Sequence, residues 1–177
     1  MKPFARILLP VDLADFSPRI VPHVIGLAKQ FDADVHLLYV ERVLKEQTAG
    51  HIPDISAVKK FVDETLKEAE AEMETLVKKY FRTCRVARTK VIMGHAAEEI
   101  LKYVQQQKIY LVIIGTHGKK GIDRFLFGSV AEKVIQSSPV PVLTLNPYQV
   151  STSKGLFDFS VEGDEELKEE LSQYNAE

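Results

Sequence analysis

Gly115 and Gly118 are separated by two residues, and after a spacer of nine come Gly128 and a hydroxyl residue, Ser129. The run directly follows an apolar stretch, Tyr110-Leu-Val-Ile-Ile114, and leads into a helix-like run from Val130. The chemistry this combination offers is anion binding. Glycines let backbone N–H groups approach an anion without a side-chain clash. A helix start adds unpaired donors and the positive end of its dipole, and Ser129 adds a hydroxyl. His117, Lys119, Lys120 and Arg124 lie within the loop, either as phosphate contacts or as solvated loop residues. The pattern points to a nucleotide. It is not the dinucleotide fingerprint, which needs Gly-x-Gly-x-x-Gly after the first strand. Here the loop follows the fourth strand-like run and reads Gly115-x-x-Gly118-x-x-Gly121. It is not a Walker A loop either, because no Gly-Lys-Ser/Thr tripeptide occurs.

The elements that must hold this loop alternate along the chain. Residues 4–10 are a short apolar run, read as a buried first strand. Ser17-Pro18 reads as a helix cap followed by proline. Helical spacing through Ile20, Val24, Leu27 and Ala28 continues to about Phe31, and Pro22 predicts an irregular helix start. Residues 34–40 form a second strand, and residues 41–55, with Gly50 and Pro53, an irregular excursion. Apolar residues at 58, 61, 62, 66, 69, 73, 76, 77 and 80 predict a long amphipathic helix over 56–80. A third strand over 85–93, a third helix over 97–107, a fourth strand over 110–114, a helix core over 130–136 and a fifth strand over 140–145 complete the body.

Strict alternation with near-continuous apolar strands implies an α/β fold: a five-stranded parallel sheet with helices on both faces, joined by right-handed crossovers. Ligands in such sheets sit beyond the carboxyl ends of the strands, where the strand order reverses. Asp12, Val40, Met93 and Gly115 all fall at or just after those ends. The body is residues 1–146. Residues 147–177 are an acidic C-terminal extension, in which 163–174 could form a short helix with Leu167, Leu171 and Tyr174 as its apolar contacts.

The charge balance narrows the partners. The chain carries −2 overall, but residues 151–177 hold two lysines and eight acids, a net −6, so the rest carries +4. A mildly basic body tolerates phosphate, and no dense basic run points to nucleic acid. The single cysteine, Cys84, excludes an intrachain disulfide and a cysteine-based zinc cluster. No apolar stretch is long enough for a membrane span, and the N-terminus runs straight into a strand rather than a signal peptide. The expected location is the cytoplasm. His23, His36 and His51 have no metal-ligand spacing and read as structural or surface residues, and Cys84 reads as inert.

The run Gly115-Thr-His-Gly118-Lys-Lys-Gly-Ile-Asp-Arg-Phe-Leu-Phe-Gly128-Ser129-Val-Ala-Glu-Lys-Val134 resembles the ATP-binding signature of universal stress proteins of the UspA type. Ile7-Leu-Leu-Pro-Val-Asp12, Ala33-Asp-Val-His-Leu-Leu-Tyr-Val40 and Pro139-Val-Pro-Val-Leu-Thr-Leu145 resemble that family's first, second and last strands. The resemblance covers about residues 1–146. It implies a Rossmann-like fold of the adenine nucleotide alpha hydrolase type and a stress-response protein that binds ATP. By the same resemblance, Asp12 and the backbone of Pro10 and Val11 contact the nucleoside, and the backbone of Val40 meets the adenine edge. Gly115, His117, Gly118, Gly128, Ser129 and Val130 wrap the phosphates, and Mg²⁺ bridges phosphate oxygens. ADP or AMP remain open as ligands. A homodimer is implied through the last strand, with Val140, Val142, Leu143 and Leu145 at the interface.

Two other readings stay open on the residues alone. One is a slow ATPase or a nucleotidyl or phosphoryl transferase, for which Asp12 and His117 are the only nameable groups, and no residue is assigned as catalytic. The other is a dimeric interaction protein without a nucleotide, since an exposed apolar last strand invites pairing. The acidic extension could recruit a further protein partner.

Overall fold

The computed structural model describes residues 4–16, 18–42, 55–116, 128–147, 149 and 169. Five strands form one parallel sheet: β1 (Arg6–Val11), β2 (Asp34–Arg42), β3 (Val86–Gly94), β4 (Leu111–Gly115) and β5 (Val142–Leu145). Their spatial order is β3-β2-β1-β4-β5, and every pairing is parallel. Among the described residues, four α-helices run between them: α1 (Val21–Phe31), α2 (Ile55–Tyr80), α3 (Ala96–Gln106) and α4 (Ser129–Ser137).

Alternate strand residues point to opposite faces, and the core divides accordingly. Ile7, Leu9 and Val11 pack with Val35, Leu37, Leu111 and Ile113 under α1 and α2. Leu8, Leu38, Val112 and Ile114 pack under α3 and α4 with Ile100, Tyr103, Val104 and Val134. The central strands therefore read as unbroken apolar runs, because both of their faces are covered.

Most sequence expectations hold within a residue or two, and the departures have local causes. The first helix starts irregularly, as expected: Pro18–Ile20 form a 3-10 turn that runs directly into α1 at Val21. Pro22 then lies in the first turn of α1, where an amide would have no helical partner. Asp32 closes α1 in the left-handed region, at φ 48°, with its N–H on Ala28 and Lys29 carbonyls. The second strand runs on to Arg42, past the expected end at Val40. The fifth begins at Val142, not Val140. Pro139 and Pro141 precede it, and Val140 is instead tied to Ser138, whose hydroxyl donates to the Val140 carbonyl at 2.8 Å. The expected helix over 163–174 lies outside the described residues except for Glu169.

Candidate functional site

β1 sits between β2 and β4, so the chain leaves it toward one side of the sheet and later returns to the other. The carboxyl ends of β1 and β4 thus flank the point where strand order reverses, the place where open α/β sheets hold ligands. The strands also part there. β1 and β4 are in register only at Ile7↔Leu111 and Leu8↔Val112, although both strands run further. Carbonyls alternate sides along β1: Ala5 accepts from Asp34 of β2, and Arg6 accepts from Tyr110 at the start of β4. Continuing that alternation, the nitrogen of Pro10 faces β4, and proline has no hydrogen to donate. Pro10 therefore removes a ladder bond on the side where the crevice opens.

Asp12 follows directly. It is exposed, and its Oδ1 accepts from the Ala14 N–H at 3.1 Å, capping the 3-10 turn Leu13–Asp15. One carboxylate oxygen is thus committed to local structure. Val11 pairs with Tyr39, whose hydroxyl donates to Glu41 Oε2 at 2.7 Å, while Glu41 Oε1 accepts from the Arg42 N–H at 2.9 Å. Partial burial holds the Tyr39 phenol above its ordinary pKa, and the Glu41 hydrogen bond and the charges of Glu41, Asp12 and Glu72 add to this. Tyr39 and Glu41 were not singled out from sequence. Their spacing of two on a strand puts them on one face, but ending the strand at Val40 assigned Glu41 to a loop. Val40 itself packs on the α3/α4 face and pairs with Ile92.

On the other wall, β4 ends at Gly115, and Thr116 follows it, buried. The Thr116 N–H donates to the Leu145 carbonyl at 2.9 Å, and the Thr116 carbonyl accepts from the Gly128 N–H at 2.8 Å. These two bonds close the neck of the glycine loop and fasten it to β5. His117 and Gly118 lie within that loop and outside the described residues. Gly128 is the N-cap of α4 and supplies no side chain, so among the described residues the N–H groups of Ser129, Val130 and Ala131 have no side-chain cap. Ser129 is exposed and Val130 half-buried.

Nothing in the described backbone requires glycine at position 128. Its φ is −68° and ψ 152°, which any residue adopts. A Cβ there would meet the Thr116 carbonyl at 3.6 Å, an ordinary contact.

The remaining titratable groups belong to the scaffold. His36 is buried, and its Nδ1 lies 3.0 Å from the Tyr103 hydroxyl. Burial lowers its pKa, and Arg88 and Arg6 push it further down. His23 is buried in α1, while His51 lies outside the described residues. Burial raises the Cys84 thiol to about 11, which keeps it protonated and unreactive near neutral pH. Among the described residues, no cluster of three His, Cys, Asp or Glu could hold a metal ion. No described helix is long and apolar enough to cross a membrane.

The strand order, the parted strands and the loop-to-helix wall define an open parallel α/β domain with its crevice at the switch point. The chain belongs to the universal stress protein family, whose model matches residues 3–146. It is 36% identical over 143 residues to the universal stress protein MJ0531 of Methanocaldococcus jannaschii, covering 80% of this chain and 82% of that one. The solved structure of MJ0577, a universal stress protein of the same organism, superposes with a TM-score of 0.64 at 26% identity, covering 81% and 96%. A universal stress protein solved in complex with cAMP superposes with a TM-score of 0.50 at 17% identity, covering 82% and 98%.

Proposed function

We propose that this chain is a cytoplasmic stress-response protein that binds an adenine nucleotide, ATP with Mg²⁺, as a structural or signalling ligand. The observation that carries the reading is Gly128. A side chain would fit among the described residues there, so they do not account for the glycine. Close approach of an anion to the uncapped N–H groups of α4 does. The Ser129 hydroxyl stands at the same helix start. Pro10, Val11 and Asp12 would meet the nucleoside from β1, with the Val40 backbone at the adenine edge, and Gly115, His117, Gly118, Gly128, Ser129 and Val130 would wrap the phosphates. cAMP, held by one protein of this fold, is an adenine nucleotide. The reading extends that ligand class, not that ligand, to this chain.

Mg²⁺ keeps several waters and takes only a few protein oxygens beside substrate phosphates. Ser129, at the start of α4, would offer its hydroxyl as a hard oxygen donor. When bound, the ion would neutralise phosphate charge. The protein's own part is to present N–H groups and hydroxyl to those oxygens. The same reading makes the assembly a homodimer through β5, with residues 1–146 as the binding domain and 147–177 as an extension able to meet a further protein.

The test is to denature freshly purified protein and identify released nucleotide by chromatography and mass spectrometry, then to titrate Mg·ATP by calorimetry. Gly128→Val should weaken binding at least tenfold, about 1.4 kcal/mol, with an unchanged circular dichroism spectrum. Unchanged affinity would place the ligand elsewhere, and neither carried nor added nucleotide binding would sink the reading.

A further inference from the structure

α2 is longer than the core it covers. Its apolar residues recur at intervals of three and four along one face, and Ala69, Met73 and Leu76 of that face are buried. Leu66, Val77 and Tyr80 pack against the same core cluster, which includes none of residues 55–65. Those eleven residues extend α2 by about 16 Å. The stripe continues along them, yet Ile55 is 82% exposed, Phe61 52% and Val58 39%. Such a row of large apolar side chains, unlike a single exposed one, marks an interaction surface.

We propose that this overhang is the docking surface for the chain's own C-terminal segment, residues 156–161. Three observations favour that occupant. The first is position. α2 enters from the carboxyl end of β2, so its free turns stand at the carboxyl end of the sheet. The chain leaves β5 at the same end, and the Pro147 carbonyl accepts from Arg19 Nη1 at 3.5 Å, beside the start of α1. α1 and α2 cover the same face. The second is reach. From β5 to β2 is three strand spacings, about 14 Å, and the seven residues from Gln149 to Leu156 span up to about 23 Å. The third is chemistry. Leu156, Phe157, Phe159 and Val161 offer apolar side chains to Ile55, Val58 and Phe61. Asp158, Glu162, Asp164, Glu165 and Glu166 bring negative charge to Lys59, Lys60 and the positive end of the helix. Glu64 already pairs with Lys60 at 3.8 Å, which leaves Lys59 and the helix end as the main positive groups for them. Tethering raises the effective concentration of this segment above that of a free partner.

The test uses the full chain with p-benzoylphenylalanine in place of Phe61. Irradiation of mixed light and ¹⁵N-labelled protein, followed by trypsin and mass spectrometry, should give cross-links to the tryptic peptide 155–168 within single-isotope pairs. Mixed-isotope pairs would mean a second copy occupies the surface. Cross-links only to residues 43–54 would mean the preceding loop does. Either result, or no cross-link at all, overturns the proposal. Independently, Phe157→Ser with Phe159→Ser should speed amide exchange across residues 55–62 at least tenfold while β1 and β4 keep their protection. Unchanged exchange at 55–62 would likewise overturn it.

Discussion

The sheet ends on one side in β3, nine residues long with Ala87, Arg88, Thr89 and Lys90 exposed, and on the other in β5, four residues long and uncharged. Among the described residues, neither edge pairs with a further strand. β3 is guarded: two cations stand on its exposed run, Arg88 is held to Gln107 by a 2.9 Å bond, and its register with β2 slips near Val35 and His36. Charges and irregularities of this kind discourage edge-to-edge pairing. β5 has no such guard, and all four of its residues are half-buried. Val142 packs toward α3 and α4, Leu143 and Leu145 toward α1 and α2. The contrast teaches that an edge's length says little about its stickiness. Its charges and regularity decide whether another chain can continue the sheet.

The largest test of that contrast is Val142→Glu, which should convert the proposed dimer to monomer in light scattering, while Thr89→Glu on the guarded edge leaves the mass unchanged. Because Leu145 anchors Thr116 at the neck of the glycine loop, the Val142→Glu monomer should also bind Mg·ATP several-fold more weakly. If both variants keep the same mass, β5 is not an interface. The converse change is Arg88→Val with Lys90→Val. It should leave two unguarded edges, and two open edges on one subunit permit open-ended assembly. Sedimentation should then show species heavier than the dimer, and a sharp dimer peak would mean the cations do not guard β3.

A smaller effect is expected from pH, beside the guarded edge. His36 of β2 titrates below its ordinary 6.5, first through burial and then through Arg88 and Arg6. The unfolded chain therefore takes up this proton more readily than the folded one. The stability contributed by neutral His36 is present above pH 6.5 and is lost as pH falls below it toward the folded value. The urea midpoint should drop between pH 7.5 and 5, and it should drop less in Arg88→Gln. An equal drop in both proteins would remove Arg88 from the account. The smallest effect concerns Cys84, on the turn leading into β3. With its pKa near 11 against an ordinary 9.0, its disulfide exchange at pH 8 should run about tenfold slower folded than in urea, since the smaller thiolate fraction is partly offset by a more nucleophilic thiolate. Comparable rates would show the thiol to be open to solvent.

Element type was legible along nearly the whole described chain, because local periodicity encodes it. Residues 58 to 80 announce α2 by their spacing, and the buried strands announce themselves as apolar runs bounded by breakers. Boundaries were less legible where prolines admit two readings. Pro22 foretold an irregular start, which the 3-10 turn before α1 supplies, whereas Pro139 with Pro141 shortened β5 by two residues. The candidate site was legible in part. Asp12 and the Gly115–Ser129 spacing locate its two walls on strand ends, yet the committed Asp12 oxygen and the Tyr39–Glu41 pair were not foreseen.

The sequence by itself determined the alternation of elements, the apolar content of each strand, the glycine loop and the acidity of the extension, since each is a property of neighbouring residues. Only the tertiary structure decided the order β3-β2-β1-β4-β5, and with it where the crevice opens and which strands are edges. It also brought His36 to Tyr103, sixty-seven residues away, and Thr116 to Gly128 and Leu145. These depend on which distant segments pair. Periodicity tells a strand which face to bury, whereas the choice of neighbour is set by how all the buried faces can be covered at once.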